Sequence, residues 1–214
     1  MSRLVLSVDP GNATGAFVLA DHAARTVHLA AWWSKRRRSA GAVLIMGWMA
    51  LEPRPVRPLL AAQEPLISRP GHTGRPTLLR LLSEVLAAVS ATGCPHALAI
   101  EGVVSIGGHR RGGKVSAAQL VELAEARGFL DGALRFLSRV DGETHAPTAA
   151  EWRHTLGIPG GADAKSCDRL ARQLLERRGW DLSGITSGHA VDALGVGVWA
   201  DARLRATPRA QEGT

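Results

Sequence analysis

The chain has 214 residues, 45% of them hydrophobic, enough to build one substantial core within the ordinary size of a single domain. Its 26 Lys and Arg outnumber 19 Asp and Glu, and the net charge of +7 points to an anionic partner, nucleic acid being the commonest. The two cysteines, Cys94 and Cys167, fit neither a disulfide framework nor a zinc site, and the apolar run from Ala42 to Leu51 is too short to span a bilayer. Met1-Ser2-Arg3 runs straight into an apolar segment with no secretory signal, so a reducing, cytoplasmic setting and no membrane association are expected.

Leu4 to Val8 is an apolar run stopped by Asp9-Pro10-Gly11, which reads as a buried strand ending in a turn. Ala16 to Ala20 and Thr26 to Trp33 supply two further strands of one antiparallel meander. Ser34 to Arg75 is less regular: Lys35 to Arg38, the apolar stretch, then prolines at 53, 55, 58, 65 and 70. It reads as an insertion made of an extra hairpin and a long extended connection.

Helical spacing of Leu78, Leu81, Leu82, Val85, Leu86 and Val89 predicts a helix over Thr77 to Ala91, stopped at Gly93. His96 to Ile100 is a fourth strand and ends in Glu101. A basic glycine-rich loop, Gly107 to Lys114, leads to a helix from about Ser116, its expected cap, to Leu137, and a fifth strand is expected near Thr144 to Ala146. Two helices, about Ala164 to Arg178 and Gly188 to Leu204, close the chain. The order predicts an α/β fold with a mixed five-stranded sheet flanked by helices, one domain over 1–204 with an insertion at about 34–75, and a polar tail over 205–214.

Asp9 and Glu101 each stand where a buried strand ends; if the two strands are parallel neighbours, both carboxylates emerge on the same sheet edge. His189 and Asp192 are three residues apart at the start of an otherwise apolar helix and so share a face. Three acids and a histidine gathered in one place cost several kcal/mol in repulsion and desolvation unless divalent cations lie between them. Two-metal phosphodiester hydrolysis needs such a set of donors, with ions ~3.5–4 Å apart.

The segment Val5 to Gly15, with its Asp9-Pro10-Gly11 turn, resembles the opening motif of the RuvC-type Holliday-junction resolvases, nucleases of the ribonuclease H-like fold. Leu98-Ala99-Ile100-Glu101 is similar to that family's second acidic motif, Glu125-Ala126-Arg127-Gly128 to its central-helix signature, and His189 to Leu194 to its last. The resemblance implies that Asp9, Glu101, His189 and Asp192 bind two ions, Mg²⁺ or Mn²⁺, and catalyse DNA cleavage. A histidine is a softer ligand than a carboxylate, so Mn²⁺ is expected to serve at least as well as Mg²⁺; His189 acting on the attacking water is the alternative.

Lys165 matches a family lysine near the scissile phosphate and Arg153 falls near another basic family position; with Arg110, Arg111 and Lys114 these are the expected DNA contacts. The implied activity is a homodimer that nicks a four-way junction symmetrically, and Leu120, Leu123, Leu130 and Leu134 of the central helix are expected to supply part of its interface. No helicase partner is legible. Two departures stand out: Gly102-Val103-Val104 follows the second acid where many resolvases carry an aromatic residue, and the 34–75 stretch is longer than in bacterial members.

Trp32, Trp33 and Lys35 to Arg38 admit a DNA-stacking finger or, more simply, core tryptophans. Gly108 to Lys114 imitates a phosphate loop, but Val115 stands where the Mg²⁺-binding hydroxyl belongs. Actin-like ATPases and sugar kinases share the Asp-x-Gly turn yet need two such domains. The remaining alternatives are another ribonuclease H-like nuclease acting on other branched DNA or RNA, and a non-catalytic junction-binding protein.

Overall fold

The structure is a computed structural model, described here for residues 2–10, 14–34, 39–43, 89, 92–102, 124, 127–128, 130–132, 134–135 and 144–206; the side chains of 14, 33, 34, 39–43, 164 and 165 are outside the description. Among the described residues six strands form one sheet: β1 (Leu4–Asp9), β2 (Thr14–Asp21), β3 (Thr26–Ser34), β4 (Ser39–Val43), β5 (Ala97–Ile100) and β6 (Thr144–His145). Their order is β4-β3-β2-β1-β5-β6. The β1 to β4 pairs are antiparallel, and β5 runs parallel to both β1 and β6. The mixed sheet and its five expected strands are therefore present. The sixth, β4, is the start of the 34–75 insertion, paired on the outer edge of β3 from Ser34↔Ser39 to Ala30↔Val43.

The sheet is central because β1 is apolar on both faces: Leu4 to Val8 are all buried. Alternation then sorts residues by size. Val5, Ala16, Val18, Ala20, Ala97 and Ala99 belong to the core that also holds Trp152 and the closing helices. Leu6, Val8, Phe17, Leu19, Leu98 and Ile100, of opposite parity, are equally buried but lie outside that cluster. The helix-covered face is thus built of small residues, which lets a helix lie close.

Three helices follow β6: α1 (Ala149–Leu156), α2 (Ala164–Arg177) and α3 (Gly188–Ala206). The first was not expected from the sequence, although a capping box starts it, with Thr148 accepting from the Glu151 amide and Glu151 accepting from the Thr148 amide. Asp163 caps α2 by accepting from the Ser166 amide. α3 packs across β1, β2 and β5. Its approach depends on Gly195 and Gly197: a Cβ at Gly197 would stand 2.9 Å from His22 Nε2 and 3.0 Å from Ser7 Oγ.

Positions 124, 127, 128, 130–132, 134 and 135 are helical, in accord with the expected central helix. Leu130 and Leu134 are fully buried within the chain, which corrects their assignment to a dimer interface: their leucine side chains are already spent on the core. Leu120 and Leu123, the Ser116 cap and most of the Thr77–Ala91 helix lie outside the described residues, as do the finger residues Lys35 to Arg38 and the phosphate-loop imitation at 108–114. Trp32 packs partly buried against the core. Cys94 is exposed and Cys167 buried, both free. Among the described residues no helix is long and apolar enough to cross a membrane.

Candidate active site

Asp9 ends β1, and Glu101 is the first residue after β5. Because Val8 and Ile100 are paired across the parallel ladder, the two acids are level neighbours, fixed by a hydrogen bond from the Glu101 amide to Val8 O at 2.9 Å. Their parity matches Val5 and Ser7 on one strand and Ala97 and Ala99 on the other, so both belong to the face covered by α3. Gly188 begins α3, and one turn carries His189 and Asp192 to the same edge. His189 Nδ1 lies 2.7 Å from Asp9 Oδ2, with side-chain exposures of 43% and 16%: the pair is held yet open to solvent.

The charges of these side chains act on one another. Burial first, then the Asp9 charge, pushes Glu101 up to about 7, against the opposing pull of Arg153, Trp152 and His189. Burial and the charges of Asp9, Asp168 and Glu101 push Asp192 up to about 8, again opposed by Arg153. His189 is raised, chiefly by its hydrogen bond to Asp9 and despite burial, with further help from the charges of Asp9, Asp192 and Asp168. Among the described residues, only Arg153 opposes the mutual repulsion of the acids with a fixed positive charge.

The donor set of the site suits a divalent cation. Carboxylate oxygens and an imidazole are hard and borderline ligands for Mg²⁺ and Mn²⁺, and Asp192 Oδ1 is shut off from solvent with no hydrogen-bond partner. As they stand, no three His, Cys, Asp or Glu side chains among the described residues close around a common point. The Asp9–His189 hydrogen bond occupies one donor pair that a cation would use.

All four expected catalytic residues thus meet at one edge. Arg153, expected to contact DNA, sits half-buried beside Glu101 and Asp192, its guanidinium 5.2 Å from the Trp152 ring centroid. Lys165 is the second residue of α2, its side chain undescribed, and Arg110, Arg111 and Lys114 lie outside the described residues. Gly102 donates from its amide to Pro147 O at 2.7 Å, and an added Cβ would meet Ala146 O at 3.0 Å, so the residue after the second acid is tied to the segment that leads from β6 into α1.

Two residues of the site were not read from the sequence. Asp168, on α2, carries an oxygen that would stand 3.0 Å from a Cβ at Gly188, and its charge reaches both His189 and Asp192. Nothing in its helical surroundings distinguishes it from a surface acid. Trp152 is buried against Glu101, and the Thr148 to Glu151 capping pair was the available clue that a helix delivers it there.

No family model and no curated protein matches the sequence. Among solved structures, RuvC of Thermus thermophilus in complex with Holliday junction substrate superposes with a TM-score of 0.51 at 13% identity, over 95% of this chain and 96% of that one. A second Thermus thermophilus RuvC structure gives 0.49 at 16% identity, with the same coverage. The sheet order, the packing of α3 across β1, β2 and β5 and the first of these likenesses together identify the fold as the ribonuclease H-like fold of RuvC.

Proposed function

We propose that the chain is a divalent-metal-dependent DNA endonuclease that resolves four-way junctions by paired symmetric nicks. The observation that carries this reading is the meeting of Asp9, Glu101, His189 and Asp192 at one sheet edge, with two of the carboxyls pushed up to about 7 and about 8. The Holliday junction held by Thermus thermophilus RuvC in its complex, and the net charge of +7 on this chain, favour branched DNA as the substrate.

Asp9, Glu101, His189 and Asp192 are the residues that would hold two ions, Mg²⁺ or Mn²⁺, which when bound would supply the charge that activates water and stabilises the leaving 3′ oxygen. Asp9 fixes the His189 ring through Nδ1, and so sets which ring nitrogen faces the substrate. Arg153 offsets the acids on the side of Glu101 and Asp192. Lys165, with Arg110, Arg111 and Lys114, neutralises phosphates, and a homodimer sets two such sites against two strands.

The test incubates purified protein and an Asp9→Asn variant with a labelled four-way junction and a matched linear duplex, in Mg²⁺ or Mn²⁺. Paired symmetric nicks confined to the junction and lost in the variant are expected, with Mn²⁺ at least as effective as Mg²⁺. Binding without cutting would instead mark a structural junction protein, and equal cutting of duplex or RNA a different nuclease of this fold.

A further inference from the structure

Cross-strand pairing draws one row of residues along the active edge. Asp9 pairs with Ala16, Ala16 with Trp32 and Trp32 with Gly41, while Glu101 follows Ile100, the partner of Val8, and so stands level with Asp9. Directly opposed residues share a face of the sheet, which puts Trp32 on the face that carries Asp9. Two strand spacings, about 10 Å, separate the two positions. The register shift between β2 and β3 falls at Leu19 and Ala20, toward the other end of that ladder, and leaves the row intact.

Trp32 is the one aromatic residue of this row, and it is only half-buried where it packs against the core. The positions around it are closed: Ala16, Ala30 and Ala31 are at 0% exposure. A side chain that served only to fill the core would be shut in as they are, whereas part of this large apolar surface stays in water beside the acids. Its row neighbours Ala16 and Gly41 are too small to cover it. On the other side of Asp9 the chain offers no ring, because Glu101 is followed by Gly102, where an added Cβ would meet Ala146 O at 3.0 Å. In sequence, Lys35, Arg36, Arg37 and Arg38 join Ser34 to Ser39, which are paired at this same end of β3. A half-exposed indole next to a run of four cations fits a nucleic-acid strand, whose bases stack on rings and whose phosphates attract positive charge.

We propose that Trp32 is a stacking platform for one base of the DNA strand that is cut, within about three nucleotides of the scissile phosphate. That reach follows from about 3.4 Å of advance per nucleotide set against the two strand spacings between Trp32 and Asp9. Stacking on an aromatic ring accepts any base, so Trp32 sets where the strand lies over the carboxylates and not which sequence is cut. The inference deepens the proposed function and rests on it for the substrate.

The experiment removes single bases, one abasic site at a time, from successive positions on both sides of the branch point of a four-way junction. Affinity for each junction is measured in chelator for wild type, Trp32→Phe and Trp32→Leu, and cutting of the intact junction in Mg²⁺ or Mn²⁺ maps the scissile phosphate. One abasic position within about three nucleotides of the cut should weaken wild-type binding by about tenfold. The same loss is expected in Trp32→Phe, which keeps a ring. Trp32→Leu, which keeps an apolar filler and no ring, should bind the intact junction about tenfold more weakly, lose nothing further at that position and keep the wild-type slope of affinity against salt. Tm is measured for both variants, and binding is run well below the lower value. An abasic profile that is the same in wild type and Trp32→Leu, or a Trp32-dependent position farther from the cut, overturns the proposal. Cutting without a Trp32-dependent position overturns the platform alone. A Trp32-dependent position in a protein that cuts nothing overturns the nuclease reading and keeps Trp32 as a base-stacking residue.

Discussion

Replacing Asp192 by Asn should make the metal-free protein more stable while abolishing cleavage. Burial and the charges of Asp9, Asp168 and Glu101 raise the Asp192 carboxyl from 3.8 to about 8. A carboxyl whose folded value lies above its unfolded one opposes folding as pH rises from the lower to the higher value, because the unfolded chain gives up its proton first. Each unit corresponds to about 1.4 kcal/mol, so the gross penalty at neutral pH is on the order of 4 kcal/mol. Glu101, itself pushed up to about 7, shares the burden, and a net gain of about 2–3 kcal/mol is expected for the neutral amide. For a chain of this size that is a rise in Tm of about 5–10 °C. Thermal melts in chelator at several pH values check it: the gain should vanish near pH 4 and grow up to about pH 8. Saturating Mn²⁺ should raise the Tm of the wild type and not of the variant. An Asn variant no more stable than wild type at pH 8 would refute the picture of a cluster held together against its own charge.

The buried His22 is held down from 6.5 to about 4, chiefly by burial, so the unfolded chain takes up its proton first and stability should fall as pH drops from about 6.5 to about 4; denaturant titrations should show this slope flattened in His22→Gln. Gly197→Ala should destabilise by about 1–3 kcal/mol, because the new methyl meets His22 Nε2 and Ser7 Oγ at 3.0 Å or less, whereas an alanine at Gly160, with nothing within 4 Å, should be near neutral; chemical denaturation compares the two. Asp9→Asn removes the largest support for the raised His189 value, so the His189 ring should titrate at a lower pH in an NMR titration, and Asp168→Asn should move it the same way by less.

What the sequence made legible was whatever local pattern could carry. Leu4 to Val8 and His96 to Ile100 announce buried strands by their continuity, and a carboxylate following each puts Asp9 and Glu101 on one edge once the strands are parallel neighbours. His189 and Asp192 are legible because two polar residues interrupt an apolar helix at its start. The eight-residue α1 was missed because its apolar stripe is only Trp152 and Leu156, too short to reveal a period, and its Thr148 and Glu151 box has to be sought. Asp168 was illegible for another reason: it lies on α2 and comes to the site only through the packing of α2 against α3. The burial of Leu130 and Leu134 depends likewise on which face of the central helix turns inward, and spacing alone does not choose between core and partner.

The glycines of α3 act as a datum. His189 stands eight residues before Gly197, about 12 Å along the helix axis, and Gly195 and Gly197 sit where added carbon would collide with Trp152, His22 and Ser7. The helix is therefore pinned to the sheet at mid-length, and its reactive end is gauged from that pin rather than from the loop that precedes it. A single methyl at the pin would displace His189 and Asp192 together relative to Asp9. Anyone transplanting this edge onto another scaffold would have to carry the interval from His189 to Gly197 as one piece, together with β1 and β5.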